Sequence, residues 1–124
     1  MPIFIHRALK NKTIAIYGDG NQTRDLTYVK DIVAANAFFA MESPATGVFN
    51  MACGNSITIN DLCAMICKLT GSKSEVVHTA ERAGDIKYSM SNVGKIQAAG
   101  FVQTINIANG LQATVGFFKQ KVRT

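Results

Sequence analysis

No stretch of this 124-residue chain approaches the roughly 20 consecutive apolar residues needed to span a membrane, so the sequence supplies no candidate transmembrane helix. A secretory signal is lacking as well. The opening Met1-Pro2-Ile3-Phe4-Ile5-His6-Arg7 puts its basic residues after the apolar ones and offers no small-residue cleavage site. A cytoplasmic location is the expectation. Cysteine is sparse: Cys53, Cys63 and Cys67 are an odd number in a chain without an export signal, which argues against a disulfide framework. Cys63 and Cys67 are spaced to share a helix face, but two thiols do not make a tetrahedral zinc site. Neither His6 nor His78 is placed to complete one, so buried, inert thiols are expected and no metal site. Long basic runs are missing too. The 13 Lys and Arg against 8 Asp and Glu give a net charge of +5. These cations are scattered, and several (Lys10, Lys12, Lys68, Lys119, Lys121) sit where helix ends are expected and complement the helix dipole. With no aromatic-interleaved basic patch and no helix-turn-helix or RNA-binding signature, nucleic acid is not the expected partner. A basic balance suits a small anionic ligand equally well.

What is present is enough apolar residue for a packed core, 48% hydrophobic against 17% charged. Pro2 suits a first helical turn, with Phe4, Ile5, Ala8 and Leu9 following at helical spacing. Thr13 to Tyr17 is short and rich in β-formers, and it stops at Gly18-Asp19-Gly20-Asn21, a strong turn signal. Thr27 to Met41 reads as helix, apolar on more than one face through Ile32, Val33, Phe38 and Phe39, which implies burial. Val48 to Ala52 reads as a strand. Thr58-Ile59-Asn60-Asp61 has the form of a capping box and opens a helix carrying Leu62, Cys63, Ile66 and Leu69 that ends at Gly71. Glu75 to His78 reads as a third strand, followed by a polar loop from Thr79 to Lys87. Asn92 is placed to cap a short helix through Ala99, and Ile107, Leu111, Val115 and Phe118 define a last amphipathic helix. Strands alternating with helices give the α/β class. Three short strands do not close into a self-sufficient doubly wound sheet, so the chain reads as one small unit, residues 1–124, of something larger.

Chemistry concentrates in two loops. Gly18-Asp19-Gly20 is not a dinucleotide loop, because the fingerprint needs a further glycine where Thr23 stands. It reads as a tight turn. Arg24, just after it, can fork onto phosphate oxygens, or it can be a surface arginine paired with Asp25 or Asp31. In Glu81-Arg82-Ala83-Gly84-Asp85, Gly84 lets the chain turn so that Arg82 and Asp85 point into one pocket. An arginine there suits a pyrophosphate, and a carboxylate suits two vicinal ribose hydroxyls. The alternative is an exposed loop with a local ion pair worth under about 1 kcal/mol. No serine or threonine has a histidine placed to activate it, and no paired carboxylates are arranged for acid-base work.

These segments together resemble the extended short-chain dehydrogenase/reductases that act on nucleotide sugars, UDP-glucose 4-epimerase-like members in particular. The resemblance is carried by Pro2-Ile3-Phe4-Ile5 with Ala8-Leu9, by Ile16-Tyr17-Gly18-Asp19-Gly20-Asn21-Gln22-Thr23-Arg24-Asp25-Leu26-Thr27-Tyr28-Val29, by Gly47-Val48-Phe49-Asn50-Met51-Ala52, by Ile57-Thr58-Ile59-Asn60-Asp61-Leu62, by Arg82-Ala83-Gly84-Asp85-Ile86, and by Gly100-Phe101 with the last helix. It implies a small substrate-binding subdomain without the family's Rossmann domain. The backbone at Ala15 and Tyr17 would lie along the uracil, Arg24 and Arg82 would hold the diphosphate, and Asp85 the ribose. Asn50 matches a family asparagine and is expected to be structural. Leu26, Lys30 and Asn92 depart from the usual phenylalanine and two aspartates. The family's glycine-rich NAD loop and its Tyr-x-x-x-Lys pair have no counterpart, since Tyr28 is followed by Val29, Lys30, Asp31 and Ile32. The resemblance therefore implies a truncated part of an NAD-dependent epimerase, binding a UDP-sugar but inactive alone and prone to self-association. A dehydratase or decarboxylase of the same family, and a non-catalytic binding module, are the alternatives.

Overall fold

The computed structural model describes residues 1–122. Helix α1 spans Pro2–Leu9, with the proline in its first turn, where its missing N–H leaves no bond unmade. Strand β1 (Ile14–Tyr17) pairs in parallel with β4 (Val76–Thr79), Ile14 opposite Val76 and Tyr17 opposite Thr79. Strand β2 (Thr23–Arg24) pairs antiparallel with β3 (Ile57–Thr58), two strands too short to be legible as periodicity. Helices α2 (Val29–Met41), α3 (Ile59–Thr70), α4 (Gly94–Ala98) and α5 (Ile107–Val122) complete the order.

One core gathers Ile5 and Ala8 of α1, Ile14 and Ile16 of β1, Leu62, Cys63 and Ile66 of α3, and Leu111 and Val115 of α5. Strand β1 turns its two isoleucines into this core, leaving Ala15 half-buried and Tyr17 exposed on the other face. A parallel pair usually has both faces covered; here helices cover one.

Helix α3 is capped at both ends. The Asp61 N–H donates to Thr58 Oγ1 at 3.0 Å, and the Thr58 hydroxyl donates to the Asp61 carboxylate at 2.6 Å. Gly71 closes the helix at φ 68°, and Lys119 of α5 donates to the carbonyl of Leu69.

Four expectations are corrected. Residues 48–52 form no strand. Val48 is 84% exposed, and the amides of Cys53 and Gly54 that follow bond to the Asp25 carboxylate rather than to a neighbouring strand. Helix α2 is not buried on several faces. Only Asp31 and Ala35 are, and Val33 is 61% exposed, because none of the described residues covers that side. Asn92 accepts from the amide of Gly94, but the residue at the N-cap of α4 is Val93. Asn50 is exposed, and its side chain makes no hydrogen bond among the described residues, so it does not brace backbone as expected.

No helix among the described residues is long and apolar enough to cross a membrane, and no group of three or more His, Cys, Asp or Glu is placed to hold a metal.

Candidate functional site

The site begins with the turn that leaves β1. Gly20, at φ 76°, is buried under Asn60, and a Cβ there would collide with the Asn60 amide. Asn60 earns that proximity by donating to the carbonyl of Asp19 at 2.9 Å, while its Oδ1 lies 3.0 Å from His78 Nε2. The first amides of α3 finish the bracing: Ile59 N donates to Gln22 O and Asn60 N to Gly20 O. Helix-start amides without intrahelical partners are thereby satisfied by the turn. Gln22 Nε2 donates to Tyr17 O at 2.7 Å, drawing the turn back over the end of β1.

This turn is one wall of a cleft. Tyr17, Gly18, Asp19, Asn21 and Gln22 line it on one side, and Glu81, Arg82, Asp85, Ile86, Lys87 and Tyr88 on the other. The cleft is open to solvent and its cavity volume is about 120 Å³, below the usual range of complete small-ligand sites. It lies at the C-terminal ends of β1 and β4, the usual edge for ligands in parallel α/β sheets.

Of the residues singled out from the sequence, Tyr17, Arg82 and Asp85 meet in this cleft. Ala15 is half-buried in β1 beneath it. Arg24 stands behind the second wall. Its Nη2 donates to Asp85 Oδ1 at 2.6 Å, and its Nη1 donates to the carbonyls of Ile86 at 2.6 Å and Thr23 at 2.7 Å. The alternative partners Asp25 and Asp31 are both engaged elsewhere. Asp25 accepts from the amides of Cys53, Gly54 and Ser91, while Asp31, 2% exposed, accepts from Thr104 N, Thr104 Oγ1 and Ile105 N.

Electrostatically the cleft is mixed. Arg82 and Lys87 line it together with Asp19, Glu81 and Asp85, so it is no uniform anion trap. The Asp19 carboxyl is held below its ordinary range chiefly by hydrogen bonds from the Asn21 backbone and side chain, with the Lys87 charge adding to them. The arrangement suits a ligand carrying both phosphate, for the cations, and hydroxyl donors, for the carboxylates. It offers no nucleophile and no base beside a donor that could react. After Gly20 the chain enters β2, so the turn Gly18–Gly20 does not open a helix as a dinucleotide loop does. The thiols lie apart from the cleft: burial pushes Cys53 up, and burial with the neighbouring Cys67 pushes Cys63 to about 11.

Sequence reasoning missed Gln22, Glu81, Lys87 and Tyr88 as cleft residues, although Gln22 belongs to the segment that carried the resemblance. Alternation along 86–90 was the available signal for Tyr88.

An α/β unit with a polar cleft at its strand ends, bounded by a glycine turn and an Arg-x-Gly-Asp loop, resembles the C-terminal part of the nucleotide-sugar epimerases. Residues 1–52 match the NAD dependent epimerase/dehydratase family. A putative UDP-glucose 4-epimerase of Methanocaldococcus jannaschii is 30% identical over 122 residues, which are 98% of this chain and 39% of that protein. The crystal structure of a Thermotoga maritima UDP-glucose 4-epimerase with UDP-glucose superposes with a TM-score of 0.89 at 34% identity, covering 97% of this chain and 39% of that one. A UDP-N-acetylglucosamine 4-epimerase from Methanobrevibacter ruminantium, in complex with UDP-N-acetylmuramic acid, gives 0.89 at 38% over the same shares. The chain is similar to members of the NAD-dependent epimerase/dehydratase family, and its α/β structure matches the C-terminal portion of the epimerase structures. It spans about 39% of the length of the curated relative and of the solved structures.

Proposed function

We propose that the chain is the nucleotide-sugar-binding part of an NAD-dependent sugar epimerase, and that the cleft between residues 17–22 and 81–88 receives a UDP-sugar. The observation that carries this reading is the convergence of Tyr17, Arg82 and Asp85 on one cleft, with Arg24 bonded to Asp85 behind it. The free edge of β1 at Ala15 and Tyr17 serves the base, Asp85 the ribose hydroxyls, and Arg82 with Arg24 the diphosphate. The chain's own residues bind and orient. Hydride chemistry belongs to an NAD-bearing part for which this chain offers no dinucleotide loop, and alone it does not epimerise. Exposed Val33, Met41, Val48 and Met90 support docking onto such a part, or self-association in its absence. The setting we infer is cytoplasmic carbohydrate metabolism.

Calorimetric titration with UDP tests the reading. Binding is expected to weaken at least ten-fold in Arg82→Ala, the scale of one charged hydrogen bond, and comparably in Arg24→Ala. Unchanged affinity in both variants would refute it. Candidate sugars supplied to the chain joined to an NAD-binding domain separate an epimerase from a dehydratase or decarboxylase.

A further inference from the structure

Two of the chain's three tyrosines, Tyr17 and Tyr88, line the same cleft, one on each wall. The third, Tyr28, lays its ring against Gly110 of α5 and is accounted for by packing. Tyr88 is 80% exposed and Tyr17 54%, so neither ring contributes much to folding by burial.

The backbone beneath Tyr88 is nevertheless held with unusual care for a segment in neither helix nor strand. Arg24 donates to Asp85 and to the carbonyl of Ile86, Thr23 N donates to Lys87 O at 2.8 Å, and Ser91 N donates to Asp25 Oδ2 at 3.2 Å. The adjacent residues Arg24 and Asp25 thus grip the two ends of one strap, 85–91, and β2 pins its middle. Ile86, Tyr88 and Met90 alternate along it and stand 62%, 80% and 70% exposed. Ordering a backbone costs conformational entropy. Spending it under an open ring makes sense where a bound group repays it, since a pre-ordered aromatic loses little more on binding.

The cleft's other groups identify that bound group. A guanidinium and an ammonium call for phosphate, and carboxylates call for hydroxyls. An exposed aromatic face beside them calls for the flat ring of a nucleobase. We propose that Tyr88 contacts the ligand directly, its ring stacking on the nucleobase from the wall opposite Tyr17. This rests on the nucleotide-sugar reading of the same cleft and adds to it the residue that grips the base.

The chain has no tryptophan, so its near-ultraviolet emission comes from tyrosine alone. UDP titration of the intact chain is expected to quench that emission, with the quench much reduced in Tyr88→Phe although UDP still binds. By calorimetry, Tyr88→Ala should weaken UDP about ten-fold, the scale of one base–aromatic stack. Tyr88→Phe should stay within about two-fold of the parent, because the ring face rather than the hydroxyl is used. The melting temperature of both variants should match the parent's, which excludes unfolding as the cause. Parent-like UDP affinity in Tyr88→Ala, beside a loss in Arg82→Ala, would overturn this inference and leave the nucleotide-sugar reading standing. An equal loss in Tyr88→Phe would overturn the stacking role. Absence of UDP binding in the parent chain would remove both.

Discussion

The two halves of the molecule are held by different physics. Around α1, β1, α3 and α5, aliphatic side chains are removed from water almost completely, Ile5, Ile14 and Ile66 being 0% exposed. Around α2 and the irregular segments 47–56, 85–93 and 99–106, order comes from two carboxylates and a run of aromatic contacts. Asp25 and Asp31 collect backbone amides from Cys53, Gly54, Ser91, Thr104 and Ile105. Phe39 stacks on Phe49 at 4.5 Å, and Phe38 meets Phe101 at 5.7 Å. Aliphatic burial is non-directional and tolerates some repacking, whereas an amide bonded to a buried carboxylate has one partner. The second half can therefore set loops accurately at the cleft's edge, at the cost of depending on single residues.

The sharpest way to break this contrast is to damage each half at its centre. Ile66→Ala should lose about 2–5 kcal/mol of global stability, the usual cost of an aliphatic cavity, read by urea denaturation. A loss under about 1 kcal/mol would mean that the helical core is not what holds the chain. Asp31→Ala should cost about 1–2 kcal/mol, because it removes the buried carboxylate that accepts from Thr104 and Ile105. Its mark is local: amide exchange should accelerate at Thr104 and Ile105 more than in α3. Uniform acceleration would show that the two halves are not separately held.

The smallest effect concerns Cys63. Its thiol titrates near 11 in the folded chain and lower when unfolded. Between those values the unfolded chain binds fewer protons, so stability falls as pH rises from about 9 to 11, by up to about 2 kcal/mol. Cys63→Val should flatten that alkaline slope, and a slope of the same size in the variant would assign it to other groups.

The same contrast explains what the sequence could disclose. Periodic apolar spacing located α1, α3 and α5, and Thr58 and Gly71 marked the two ends of α3, because those signals are local and the core reads them directly. The segment after Gly47 looked like a strand on β-propensity alone. It lacks a partner strand, and its amide bonds go to Asp25, a choice made by residues 28 and 29 positions away. The apolar faces of α2 implied burial that this chain does not supply. In the cleft, Tyr17, Arg82 and Asp85 were legible from motif residues, and the engagement of Arg24 with Asp85 was not, since that pair is 61 residues apart. Lys87 and Tyr88 reach the cleft only because Arg24, Thr23 and Asp25 tie down the strap that bears them.

Backbone amide shifts followed by NMR during UDP titration test the central claim most directly, since they report where a ligand sits without presuming which residue holds it. The account predicts movement at residues 15–22 and 82–88, with the amides of α1 and of the buried faces of α3 and α5 unmoved. Shifts confined to any other surface, or none at saturating UDP, would contradict it.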